Sequence, residues 1–413
     1  MGLYLAELKR QWKTRSVRLL LLFALLMAFV LAYCPISYSQ FVYADNGQEI
    51  LVKGTKAISM RKEAWAGWAG EVTEEQLAAA LKIYNDCFEQ YGASLYNDMP
   101  DSEYCQKLEP IQKWVHRLAE VYVDPVTSPS ASPLDLTQED ALNFYEKYGE
   151  YFDAYLEATL SRHPEAIRQA KSLQSHTKLP FTYYPGFNSD ALDYQILLTL
   201  LLTIVGALIA APIFSSDYQT GSDHILRCAK YGRTPLALAK IKAALTITSL
   251  MYLVCMSIYL LITGFAFGWD TLKTSVQFIW MARSLPPISY GQLMLLSGAF
   301  AFVSFLATIL CILFLSALCK SVYASSSLSL LLCLLPILTS SFLPEEVDLW
   351  IRVFLPDGGI GFSNSFLYEV LFLNFLHLGS FSLWYPYTLT LSCVVGIPLW
   401  LFATVRAYLK HTL

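Results

Sequence analysis

Few residues in this chain are spaced for bond-making chemistry. The six histidines, at 116, 163, 176, 224, 377 and 411, are dispersed and never reach metal-ligand spacing. There is no GxxxxGK[ST] phosphate loop, no HExxH helix, no GxSxG elbow and no CxxC pair. The sequence therefore predicts no catalytic residue, no metal site and no nucleotide held by the chain itself. Among nine cysteines, Cys87 and Cys105 each stand four residues from an expected interhelical loop, and a helical hairpin would bring them level. That spacing allows a disulfide if the geometry agrees. The segment with the most ordered chemistry is FSSDYQTGSDHILRCAKYGRTPLALAKIKAAL, residues 214–245. It carries Asp217, a polar turn at Thr220-Gly221, and a short helix of Ile225, Leu226 and Ala229 with Arg227 and Lys230. A second turn follows at Gly232-Arg233, and Lys240 and Lys242 lead back into apolar sequence. An apolar ridge of Ile225 and Leu226 among Arg227, Lys230 and Arg233 suits docking rather than catalysis, although a basic loop of this kind also serves as a simple topological signal.

The elements that must position this loop are apolar. Of 413 residues, 55% are hydrophobic and 15% charged, against about 45–50% and about 25% in an ordinary soluble domain. With a mean hydropathy of +0.42 and a pI of 5.9, the composition points to lipid and away from nucleic acid. Stretches long enough for a bilayer core lie at Leu19–Ile36, Tyr194–Phe214, Ala243–Phe267, Leu293–Cys319, Val322–Leu343 and Tyr387–Val405. None has Lys, Arg, Asp or Glu in its interior, which argues against a pump driven by carboxylates of its own spans. With the N-terminus inside, the inner segments hold 13 basic residues and the short outer loops only Lys273, Arg283 and Arg352. The positive-inside rule then places both termini in the cytoplasm.

Residues 37–190 differ, with 13 basic and 23 acidic residues, and fall outside by this topology. Thr73-Glu74-Glu75-Gln76 has capping-box spacing and opens a helix to about Tyr91, with Gly92 as its stop. A second helix is expected over Asp101–Tyr122. The stretch Asp124–Pro133, with Pro125, Pro129 and Pro133, reads as a linker between two lobes. In the second lobe Phe144, Tyr148, Tyr151, Phe152 and Tyr155 read as core rather than as a ligand wall. Phe181, Tyr183, Tyr184 and Phe187 suit an interfacial aromatic belt. The fold class is therefore an all-α membrane protein: six transmembrane helices, with a helical extracellular domain between the first and second. Its parts are an amphipathic helix and first span (1–36), the extracellular domain (37–190), and a five-helix transmembrane domain (191–413) with the loop 214–242.

The loop residues, in their order, resemble permeases of the type-2 class of ABC exporters. The matching positions are Asp217, Thr220-Gly221, Ile225–Lys230, Gly232-Arg233 and Lys240; the family more often has Glu where this chain has Asp217. Leu3, Leu8 and Trp12, set among Glu7, Lys9, Arg10, Lys13 and Arg15, resemble the family's connecting helix. The apolar run Phe366–Leu378 resembles its short outer or re-entrant helices. The resemblance implies a coupling helix that docks on a separate cytoplasmic ATPase subunit, which binds ATP and Mg. It also implies a second permease copy or related permease, lipid as solvent and no nucleic-acid partner. Export by alternating access in a cell membrane is the function it implies. A non-transporting sensor or immunity protein, whose outer domain binds a peptide or envelope component, is the other reading. Peptide, lipid, drug and ion all stay open as substrate.

Overall fold

The structure, a computed structural model, describes residues 2–92, 95–123 and 131–410. Helix α1 (Gly2–Lys13) precedes α2 (Arg15–Tyr38). The inserted domain holds the hairpin β1 (Gln40–Asp45) and β2 (Gln48–Lys53), then α3 (Thr55–Ala64), β3 (Gly70–Glu71), α4 (Glu74–Tyr91) and α5 (Gln112–Val121). It continues through α6 (Phe144–Leu160), α7 (Pro164–Gln174) and β4 (Thr182–Tyr183). The membrane part follows as α8 (Ser189–Ala210), α9 (Pro212–Thr220), α10 (Ser222–Cys228), α11 (Thr234–Phe267), α12 (Tyr290–Leu318) and α13 (Val322–Phe342). The chain closes with α14 (Glu345–Phe354), α15 (Phe366–Leu371), β5 (Phe375–Leu378), β6 (Phe381–Trp384) and α16 (Tyr385–Lys410).

Among the described residues six helices are long and apolar enough to cross a membrane: α2, α8 with α9, α11, α12, α13 and α16. Each expected apolar stretch forms the body of one, giving a multi-pass membrane protein. At about 1.5 Å per residue, α11 with its 34 residues outruns a hydrocarbon core of about 30 Å. Its first turns, which carry Lys240, extend beyond the apolar body. Helices α8 and α12 are the most enclosed, whereas α16 turns most of its surface outward. The connections sort to two ends. At one, Gln219 accepts from the Val322 amide at 3.0 Å and Arg227 meets the Tyr408 carbonyl. At the other, the inserted domain sits on the remaining loops, with the Thr182 amide donating to Ser275 Oγ at 2.9 Å and Gln169 Nε2 to the Ser382 carbonyl at 2.5 Å.

The chain is mostly helical rather than all-α: among the described residues two antiparallel hairpins, β1–β2 and β5–β6, and a short long-range pairing of β3 with β4 interrupt the helices. In β1–β2 the register pairs Asp45 with Gln48 across Asn46-Gly47, both at positive φ (50° and 78°), the primed turn that matches strand twist. The helix expected over Asp101–Tyr122 is also broken. A π-turn at Tyr104–Leu108 precedes α5, since Pro110 supplies no amide to a continuous ladder. The capping box at Thr73/Gln76 and the stop at Gly92 form as expected. Of the expected linker, residues 124–130 lie outside the described residues, and Pro133 opens a 3-10 turn. The two expected lobes share one core: Leu77 and Leu81 belong to the same cluster as Phe144, Tyr148 and Phe152. Phe181 and Tyr183 are buried with them rather than forming a belt, and Tyr183 edges onto Trp114 at 5.8 Å. Phe366–Leu378 divides into helix α15 and strand β5.

The cysteine pair does not meet as a disulfide. Both thiols are free: Cys87 packs in the main core, whereas Cys105 packs with Phe41 and Ala57 beside β1. The π-turn moves Cys105 off the hairpin geometry that the spacing assumed. Burial pushes the Cys105 thiol up to about 11.

Candidate functional site

Pro212 starts α9 with only Ala211 separating it from α8, and Ser316 of α12 compensates for the disturbed ladder. Its hydroxyl donates to the Ala211 carbonyl at 2.6 Å and accepts from the Phe214 amide at 3.0 Å. Helix α9 therefore leaves the bundle while still anchored to it. Its end is Gly221, at φ +69° in the left-handed region, where a side chain would be strained. Thr220 Oγ1 returns to the Ser216 carbonyl at 2.9 Å, so the Thr-Gly pair acts as a helix stop.

Asp217, on α9, is buried and ion-paired with Lys240 of α11, whose side chain is fully enclosed. The Lys240 ammonium also donates to the Ile213 carbonyl at 3.3 Å and lies 5.5 Å from the Phe214 ring. From the far end of the sequence, Arg10 of α1 reaches Asp217 Oδ1 at 3.4 Å and Glu7 at 2.8 Å. Gln11 Nε2 donates to the Lys240 carbonyl at 3.4 Å. Buried ions require such multiple partners because desolvation is costly. The cluster clamps α1, α9 and α11 together. Helix α1 accordingly turns Glu7 and Gln11 inward, while Trp12 and Leu5 remain exposed.

Between the clamps stands α10, shifted upstream of the expected Ile225–Lys230 helix so that Ala229 and Lys230 fall in the following turn. Ile225 is 78% exposed, whereas Leu226 is half-buried, so the apolar ridge is chiefly Ile225. Arg227 does not belong to an outer cationic rim. It turns inward to the Tyr408 carbonyl and lies 4.7 Å over the Tyr408 ring. Tyr408 Oη donates to the Gly232 carbonyl at 2.9 Å, tying the second turn to the end of α16. A Cβ on Gly232 would meet the Leu226 carbonyl at 1.8 Å, so only glycine permits this closure. Lys230 and Arg233 stay exposed, with Tyr231 also outward.

The structure thus brings Asp217, Thr220, Gly221 and Lys240 together as a clamp and joins Arg227 and Gly232 to α16. It leaves Ile225, Lys230 and Arg233 presented outward. Glu7, Arg10, Gln11 and Tyr408 complete the arrangement and were not expected from the sequence. A lone acidic residue, Glu7, in an otherwise basic N-terminal segment is the one signal that pointed to it; nothing in the sequence marked Tyr408. The sequence matches no protein-family model and no curated protein.

Hydroxyls within the spans mostly bond their own helices: Thr199 donates to the Gln195 carbonyl at 3.0 Å, Thr203 to the Thr199 carbonyl at 2.9 Å, Thr246 to the Lys242 carbonyl at 2.8 Å and Thr308 to the Ser304 carbonyl at 2.8 Å. At the opposite end Arg352 forms a second charged centre. It donates to Asp348 at 2.8 Å, Glu369 at 2.6 Å and the Asn364 carbonyl at 2.8 Å. Asn374 adds a bond to Glu369 at 2.9 Å.

Proposed function

We propose that the chain is the membrane-spanning permease subunit of an ATP-binding cassette exporter. In this reading the end bearing α1 and α10 is cytoplasmic, as are both termini, and residues 37–190 stand outside the cell. A separate ATPase subunit binds ATP and Mg and supplies the work, and two permease subunits enclose the path. ATPase closure displaces α10, and the clamped helices follow as a body, giving alternating access.

The observation that carries this reading is the contrast within one loop: α10 exposes Ile225 while its flanks are fixed by a buried ion cluster and by Arg227 and Gly232 on α16. A purely topogenic loop needs basic charge but no such anchorage. An element that transmits force needs an exposed apolar contact and stiff roots. The test is capture of an ABC ATPase by the tagged full-length chain from membranes of its native host. Ile225→Asp should reduce capture by roughly 30-fold or more, since buried apolar anchors contribute about 2 kcal/mol or more. Lys230→Ala should change it little. Undiminished capture by an Ile225→Asp protein of wild-type abundance would reject the docking role.

A further inference from the structure

Although no span has a Lys, Arg, Asp or Glu near its middle, the chain delivers an aspartate there from the segment between α13 and α16. After α14 it turns back into the bundle. The Pro356 carbonyl accepts from Ser304 Oγ at 2.8 Å, and Ser304 stands halfway along the 29 residues of α12. Cys393 Sγ of α16 approaches the same carbonyl at 3.6 Å, and Asn364 Nδ2 donates to the Pro336 carbonyl of α13 at 2.8 Å. Two glycines permit the close approach. A Cβ on Gly359 would meet the Phe300 ring at 2.3 Å, and one on Gly358 would meet the Arg352 carbonyl at 1.9 Å.

Asp357 lies at this inward turn with no exposed surface, and no other residue donates a hydrogen bond to its carboxyl oxygens. The titratable groups that face it are the thiols of Cys311 on α12, Cys333 on α13 and Cys393 on α16. Arg352 of α14 reaches the neighbouring Gly358 carbonyl at 3.4 Å, but its charge is engaged by Asp348 and Glu369. An uncompensated carboxylate is strongly disfavoured in such a place, and an ionisable group at this depth marks a functional site by default. Burial pushes the Asp357 carboxyl up to about 8.

We propose that Asp357 is a proton-binding site inside the bundle, neutral while segment 355–365 is seated against α12 and ionised when that segment withdraws to water. The proton leaves the carboxyl for solvent and the carboxylate remains on Asp357, so opening of this end of the bundle is linked to proton release. This does not depend on ATPase coupling. Because the neutral form is the one the fold stabilises, the contribution is complete below the ordinary aspartate value of about 3.9. It is lost as pH rises to about 8, by up to about tenfold in the folded-to-unfolded ratio per pH unit, and levels off above that.

The test uses purified full-length protein in lipid nanodiscs. Infrared spectra at about pH 6 should show a protonated-carboxyl C=O band that Asp357→Asn removes. Thermal midpoints of the wild type should fall between about pH 5 and pH 8 relative to those of Asp357→Asn, whose amide cannot ionise. A carboxyl region unchanged by the substitution, or melting profiles that stay parallel over this range, would overturn the proposal. Should the variant fail to accumulate, the wild-type protein labelled at its aspartate carboxyls is titrated directly. A protonated band that persists to about pH 7 supports the site, and its disappearance below about pH 5 refutes it.

Discussion

At the basic end of the bundle, Asp217 of α9 is held by Lys240 of α11, 23 residues away, and by Arg10 of α1, 207 residues away, three elements that meet only when the helices pack. At the opposite end, Arg352 finds Asp348, Glu369 and the Asn364 carbonyl within the single segment between α13 and α16. Both centres bury charge with several partners, yet they do different work. The first sets the position of helices relative to one another, and so suits an end that must move as a unit. The second ties one segment to itself, and that segment carries Asp357 inward with no hydrogen bond from another residue to its carboxyl oxygens.

This comparison is sharpest where a charge is stranded. Arg352→Met leaves two buried carboxylates and the Asn364 and Gly358 carbonyls without their donor, and should destabilise the protein by about 3–5 kcal/mol. Thermal unfolding in detergent reads this, and a loss below about 1 kcal/mol would show that water reaches the centre freely. Lys240→Met should cost less, about 2–3 kcal/mol, because Arg10 remains 3.4 Å from Asp217. Adding Asp217→Asn should recover most of that loss, since removing both charges abolishes the stranded one. Failure to recover would mean that the pair positions α9 through contacts other than charge. The smallest effect concerns Cys87 and Cys105. With both thiols free, the Cys87→Ser, Cys105→Ser double variant should melt with the same offset from wild type in oxidising and reducing buffer. An offset present only under oxidation would reveal a bond between them.

Much of the architecture was legible. Runs such as Tyr194–Phe214 and Val322–Leu343 lack any charge, and lipid admits few structures besides helices for such runs. The hairpin β1–β2 was also legible in principle, because Asn46-Gly47 sits between two short β-prone runs. It was masked by the surrounding helix signals. The break before α5 was legible in Pro110, whereas the π-turn at Tyr104–Leu108, which sets Cys105 beside β1, was not. Within the loop, Gly221 and Gly232 were identified as turns from residue type alone. Which cations face outward was not: Arg227 and Lys230 are three residues apart, yet the first is drawn in by Tyr408 and the second remains in solvent.

By itself, then, the sequence determined the number and extent of the apolar helices, the glycine stops, and the charged and apolar content of the loop, because each follows from side-chain solvation or from allowed φ and ψ over a few residues. Tertiary structure alone decided which charges are paired. Glu7, Arg10, Asp217 and Lys240 become one cluster only when α1, α9 and α11 converge, and burial makes their pairing obligatory. It also decided that Asp357, which follows Pro356 and precedes two glycines, stands fully buried beside the middle of α12. Burial is a property of the assembled bundle, and an ionisable group acquires its chemistry from what surrounds it.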